Sequence, residues 1–358
     1  RLYGSATSAR KRTGAIGLDT EAGADLLDLD FLIEATKQGR GHSFWVLMTY
    51  TTLTNYQHSL GRIPFSVAVF DEIQAVKNVS TLAHRAVLSL KSDFNIGLTG
   101  TPVENAVSDL WAIVDTLSPG YLGSLKNFVK SYSNASIEKF KELHERLFKN
   151  SYSIDEKNSP PIALRRMKTE TIANLPEKNY RLYPENMSKT QEIAYDSVFI
   201  ELKNAAEGRV LKILHRLRGI SLYPGVIDLL IEADNPLEHL AKNSARFKST
   251  IKILDKIRES QEKVLIFLES HDMQYALSSL LAKKYGLQGV PIINGQVSPF
   301  KRGQIVDEFQ KTKGNNKFDL LILSPKAAGV GLTLTAATHI IHLSRWWNLC
   351  LCFPMLWS

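Results

Sequence analysis

Seven short runs of apolar and β-branched residues constrain this chain more than any other feature of its sequence. They fall at residues 44–48, 67–70, 95–98, 264–268, 290–293, 320–323 and 339–343, and polar turns follow several of them. Such runs are apolar on both faces, and helical patterns separate them. That combination predicts parallel sheets covered by helices, with functional groups in the loops beyond the carboxyl ends of the strands. Because the runs form one early and one late set, two α/β lobes are expected. The 358 residues, 44% of them hydrophobic, suffice for two cores.

Between the two sets the pattern turns helical. Leu110, Val114 and Leu117 mark a helix that should stop before Pro119-Gly120, and residues 125–147 carry Lys, Glu and Phe at helical spacing. The stretch 157–161 (Lys-Asn-Ser-Pro-Pro) reads as a linker. A second helical region is expected over 188–218, and Ser244 opens an amphipathic run through Phe247, Ile251, Leu254 and Ile257. No apolar stretch approaches the roughly 18 residues that a membrane span needs. The only cysteines are Cys350 and Cys352, so no disulfide framework is legible and a reducing, intracellular setting is the simplest reading. A net charge of +8 suits a polyanionic partner without requiring one.

The chemistry concentrates behind two of the early runs. Asp71-Glu72-Ile73-Gln74 follows residues 67–70, and Thr99-Gly100-Thr101-Pro102 follows residues 95–98. Mg²⁺ takes oxygen ligands and keeps several of its waters, so Asp71 can hold the hydrated ion while Glu72 orients an attacking water. A nucleotide-driven motor needs such a pair beside bound ATP. Taken alone, Gln74 could cap a helix. Thr99-Gly100-Thr101 could likewise be an ordinary strand-to-helix turn, Gly100 supplying a positive φ and Pro102 the first helical turn.

Further motifs follow in a fixed order. They comprise Thr49-Tyr50, Lys77-Asn78, Val103-Glu104-Asn105, Asp109-Leu110-Trp111, Leu164-Arg165-Arg166, Leu175-Pro176-Glu177-Lys178, Gln191 and Tyr195. The late half adds Ser244-Ala245-Arg246-Phe247-Lys248, residues 263–267, Gly295, Arg302, Phe309, Gly329-Val330-Gly331-Leu332-Thr333-Leu334 and Trp346-Trp347-Asn348. In this order the residues resemble the Swi/Snf family of DNA-dependent ATPases, the chromatin-remodelling branch of helicase superfamily two.

The resemblance implies two RecA-like parallel-sheet lobes with inserted helical protrusions over about residues 119–243, the first lobe incomplete. The first lobe is expected over residues 1–185 and the second over 186–348. It implies ATP and Mg²⁺ as cofactors and stepping along double-stranded DNA. A nucleosome, a polymerase or another DNA-bound protein would be the target, with no membrane involved. The setting would be the nucleoid in a bacterium and the nucleus in a eukaryote. Gln74 becomes a reporter of nucleotide state. Thr99, Gly100, Thr101, Gly329, Gly331 and Thr333 become elements coupling ATP to DNA, although a lone Gly-x-Gly is usually a turn. Arg165-Arg166 with Lys168 reads as a solvated basic face or an interlobe brace, and Trp346-Trp347 as core aromatics or a stacking pair.

Two departures qualify that expectation. A phosphate-binding loop needs Gly-Lys followed by Ser or Thr, and no Gly-Lys dipeptide occurs in the 358 residues. After Asn348 the chain reads Leu-Cys-Leu-Cys-Phe-Pro-Met-Leu-Trp-Ser, where the family continues with a helix bearing two arginines. Residues 349–358 therefore read as an aberrant tail from a shifted frame. A fragment of a DNA translocase, inactive alone, is the leading expectation. A non-enzymatic DNA- or protein-binding remnant and a motor subunit of a restriction or phage-defence complex are the alternatives.

Overall fold

The computed structural model describes residues 1–40, 44–103, 106–149, 161–166, 179–311, 317–325 and 332–344. It is mixed α/β, and its chain divides into two compact units, Arg1–Pro176 and Glu177–Ser358.

In the first unit, strand β1 (Pro64–Phe70) pairs in parallel with β2 (Lys91–Gly97), with Val67 opposite Phe94, Val69 opposite Ile96 and Phe70 opposite Gly97. Parallel neighbours need a crossover, here a 3-10 turn at Ile73–Val76 and the helix Leu82–Leu88. Thr81 starts that helix by accepting the His84 amide. Phe70, Ile73, Val76, Ala86 and Val87 pack with Leu53, Leu60, Ile63 and Ile113 into the core beneath the sheet. Gly97 permits the tightest part of it. A Cβ there would lie 2.7 Å from Leu117 Cδ1 and 3.0 Å from Ile73 Cδ1.

Side chains alternate across a strand, so Val67, Val69, Phe94 and Ile96 share the opposite face. That face is open: Phe94 is 62% exposed and Val69 56%. Farther along, the helices Val107–Leu117, Leu125–Tyr132 and Ile137–Phe148 gather Val114, Leu122, Phe128, Leu143 and Leu147 into a separate cluster. Ser124 and Ser136 cap the last two.

The second unit holds a four-stranded parallel sheet in the order β4 (Ile292–Ile293), β5 (Asp319–Leu323), β3 (Lys263–Phe267), β6 (Ala337–His342). Every residue of β3 is buried. Val264 and Ile266 face one cluster with Leu320 and Ile322, while Leu265 and Phe267 face another with Leu321, Leu323 and Phe309. Both faces are thus covered, as the unbroken apolar runs require. Each such side chain contributes about 1.5–3 kcal/mol by burial. Ser244 caps the helix Ala245–Glu259, which buries Phe247, Thr250, Leu254 and Ile257. Gln191, fully buried at the start of the helix Lys189–Lys203, donates to the carbonyls of Ile220 and Ser221 and accepts from the Ala245 amide.

Two local expectations fail. Residues 44–48 form no strand: only Met48 makes an isolated parallel bridge, to Leu2, and Trp45 is 93% exposed. A strand needs a partner along its length, and this run meets one at a single point. Pro102 does not lie in a first helical turn either, because the next helix begins at Val107. Residues 157–160, 175–178 and 345–358 lie outside the described residues.

Candidate functional site

Two strand ends meet at the candidate site. The Leu98 amide donates to the Phe70 carbonyl at 2.8 Å, and the Ile73 amide returns to the Leu98 carbonyl at 3.0 Å. The backbone bonding therefore continues past both strand ends, to Leu98 on one and, across the intervening turn, to Ile73 on the other, and Asp71-Glu72 leaves the sheet beside Thr99. Between those two bonds the chain must turn sharply. Glu72 accomplishes this in the left-handed region, at φ 50° and ψ 50°. A non-glycine residue there costs about 1–2 kcal/mol, which the two flanking backbone bonds offset.

Local hydrogen bonds hold this turn. The Glu72 amide donates to Asp71 Oδ1 at 3.1 Å, and Gln74 Nε2 donates to Glu72 Oε2 at 2.6 Å. The side chains of Asp71 and Glu72 are exposed. Gln74 Oε1, by contrast, is buried and has no partner among the described residues. The Tyr50 hydroxyl, from the first residue of the helix Tyr50–Asn55, donates to the Asp71 carbonyl at 2.8 Å. Burial, with the charges of Asp71 and Glu72 behind it, pushes the Tyr50 phenol up to about 12. It remains a protonated donor at any physiological pH.

The loop after β2 is arranged differently from the expectation. The Thr101 amide donates to Thr99 Oγ1 at 3.1 Å, a side-chain turn that orders the Thr-Gly-Thr segment. Gly100 is not among the glycines with positive φ, and a Cβ there would meet nothing within 4 Å. The left-handed residue of this site is Glu72 instead. Downstream, Lys77 Nζ lies 3.3 Å from Asp109 Oδ2, with the two side chains only 17% and 12% exposed. Asp109 also accepts from the Ala106 amide at 3.5 Å. The acidic turn is thereby tied to the helix that follows the Thr-Gly-Thr loop.

Sequence reasoning had marked Thr49-Tyr50, Lys77 and Asp109 only as family motifs. Their contacts span 21 and 32 positions, so no local pattern revealed them. In the second unit Thr333 is exposed, and its carbonyl accepts from Gln310 Nε2 at 2.9 Å. Gly329 and Gly331 lie outside the described residues.

The first-unit site suits a hydrated divalent cation. Among the described residues no group of three or more His, Cys, Asp or Glu could form an all-protein cage. Asp71 at the strand end and Glu72 held beside it are the two exposed carboxylates that could face the waters of a hydrated ion.

Comparison with known proteins identifies the family of the chain. A family model described as SNF2-related domain matches residues 30–229, and one described as Helicase conserved C-terminal domain matches residues 245–352. The chain is 32% identical to Zorya protein ZorD of Escherichia coli O139:H28, the match covering 86% of this chain and 29% of that protein. It is 33% identical to the putative ATP-dependent helicase/translocase YwqA of Bacillus subtilis, covering 85% of this chain and 32% of that protein. The chain thus spans about a third of the length of these relatives. Among solved structures, the Sulfolobus solfataricus SWI2/SNF2 ATPase core in complex with dsDNA is 28% identical. It covers 87% of this chain and 64% of that one, with a TM-score of 0.42.

Proposed function

The chain belongs to the SNF2-related family of helicase-like ATPases, and we propose that its first unit carries the magnesium- and water-handling part of an ATP-driven duplex-DNA translocase. The observation that supports this most is the Gln74 to Glu72 hydrogen bond of 2.6 Å at a left-handed turn between paired strand ends. A flexible surface carboxylate needs no such hold. A residue that must present one oxygen to a water does.

In this reading Asp71 accepts hydrogen bonds from the waters of a magnesium ion, which would neutralise charge on the nucleotide phosphates. Glu72 orients the attacking water, and Gln74 sets the rotamer of Glu72 through its Nε2 donor. Thr99, Gly100 and Thr101 leave the neighbouring strand end, tied to the acidic turn through Ile73 and Leu98 and through Lys77 and Asp109. That linkage is the proposed route by which nucleotide state reaches the DNA-facing loops. Gly329, Gly331 and Thr333 are proposed to serve the same coupling from the second unit.

The 358 residues contain no Gly-Lys dipeptide, the pair with which a phosphate-binding loop neutralises β and γ phosphates. Alone, the chain is proposed to bind duplex DNA weakly through phosphates and to hydrolyse no ATP. Fluorescence anisotropy with unrelated duplexes tests the DNA half. Affinities should be equal within error and should fall linearly in log–log form as salt rises. Tight binding to one sequence, insensitive to salt, would overturn the reading.

A further inference from the structure

The Asp71 carbonyl is met by a side chain from a different part of the chain. Phe70 O accepts from Leu98 N, and Glu72 O accepts from Ala75 N at 2.9 Å, so both neighbours of this carbonyl are held by local backbone. Asp71 O is held by the Tyr50 hydroxyl at 2.8 Å. A left-handed glutamate can relax by rotating the Asp71–Glu72 peptide, and such a rotation would swing this carbonyl. A donor fixed on it opposes that rotation.

We propose that Tyr50 is a positioning residue for Glu72: its hydroxyl locks the Asp71–Glu72 peptide and so keeps the Glu72 carboxylate aimed at the water it orients. The proposal rests on the reading of Glu72 given above. Tyr50 is well placed for this task. Thr49 caps its helix by accepting the Thr52 amide, and the Leu53 amide bonds to the Thr49 carbonyl, so the phenol extends from an ordered helix start. Leu53 and the C-cap residue Tyr56 anchor that short helix in the core beneath the sheet, and the Tyr50 ring packs against the same core. Any shift of the 49–50 segment is therefore transmitted to the acidic turn through one hydrogen bond, which makes the start of this helix a lever on the hydrolytic carboxylate.

The test is Tyr50→Phe, which keeps the ring and removes the donor. Amide hydrogen exchange is read in the 358-residue chain at Ile73 and Ala75, whose amides bond to Leu98 O and Glu72 O. Exchange at both should rise about fivefold to tenfold, as loss of one hydrogen bond allows, while Leu53 and Leu98 keep their protection. Unchanged exchange at Ile73 and Ala75 overturns the proposal. Equal loosening at Leu53 and Leu98 overturns it as well, because the hydroxyl would then support the fold rather than the turn. A second readout uses the chain grafted with a Gly-Lys-Thr phosphate loop and an arginine-bearing helix. There Tyr50→Phe should lower kcat about tenfold and leave KM for ATP unchanged. Loosened exchange with unchanged kcat overturns the positioning role of Tyr50, whereas the reading of Glu72 itself fails only if Glu72→Gln in the same grafted chain keeps full turnover.

Discussion

The amide of Ile73 donates to the carbonyl of Leu98 across 3.0 Å, joining the acidic turn of one strand to the Thr-Gly-Thr loop of the next. Neither segment can move far without the other. Since the Leu98 amide also bonds to Phe70 O, the two strand ends form one closed unit of backbone, and Lys77 with Asp109 closes a second loop around it.

The ion pair should be worth measuring by itself. Lys77→Met or Asp109→Asn is expected to destabilise the first unit by about 1–3 kcal/mol, because a largely buried charge loses its counter-ion. Urea unfolding followed by tryptophan fluorescence, with the double variant closing a thermodynamic cycle, reads the coupling. Additive losses would show that the pair does not couple the two segments.

The second unit should lose stability on mild acidification. His342 stacks on Phe267 with centroids 5.1 Å apart, and although the residue keeps an exposed edge, partial desolvation against its neighbours lowers its imidazole from the ordinary value. The unfolded chain then takes up the proton first as pH falls. This contribution is complete above about pH 6.5 and declines below it. His342→Gln should flatten the pH dependence of unfolding between pH 7.5 and 5, and an unaltered slope would contradict the assignment.

Glu185 fastens the segment that enters the second unit. It meets Lys248 and Lys252 at 2.8 Å each, and these hydrogen bonds bring its carboxyl down to about 2. A depressed carboxylate contributes above its ordinary range and loses that contribution only as pH falls toward 2. At neutral pH and low salt, Glu185→Gln should therefore speed tryptic cleavage after Arg181. Salt should raise the wild-type rate toward that of the variant.

The open face of the first sheet suggests a difference in durability. Val67, Val69, Phe94 and Ile96 lie on one exposed surface, whereas the β3 residues of the second unit are all buried. Limited proteolysis of the whole chain should leave a second-unit fragment containing residues 263–267 after the first unit has been digested. Survival of a core holding Asp71 and Thr99 without that strand would contradict this expectation.

The second unit was the more legible half of the fold. Residues 264–268, 320–323 and 339–343 are apolar because helices cover both faces of their sheet, so the run and the strand nearly coincide. In the first unit, residues 67–70 pointed to β1 correctly, but residues 44–48 carried the same composition without a lateral partner. Composition cannot report whether a neighbouring strand is present. Near the site, Asp71, Glu72 and Gln74 were legible because they are contiguous. Their supports were not: Tyr50 lies 21 residues from Asp71 and Lys77 lies 32 from Asp109, distances over which only the folded chain brings side chains together. The left-handed residue was misassigned to Gly100 because glycine adopts that region freely, whereas at Glu72 the flanking backbone bonds, Leu98 to Phe70 and Ile73 to Leu98, impose it.

The central claim is the proposal that Glu72 orients the attacking water of an ATPase and that these 358 residues, which contain no Gly-Lys dipeptide, do not hydrolyse ATP alone. DNA-stimulated phosphate release, measured with and without Glu72→Gln, tests it most directly. The 358-residue chain should release no phosphate above background in either form. The chain grafted with a Gly-Lys-Thr loop and an arginine-bearing helix should hydrolyse ATP, and Glu72→Gln should abolish that turnover while leaving ATP binding largely intact. Hydrolysis by the 358 residues alone that Glu72→Gln stops would contradict the need for a Gly-Lys-Thr loop, and full activity of the grafted Glu72→Gln variant would contradict the role given to Glu72.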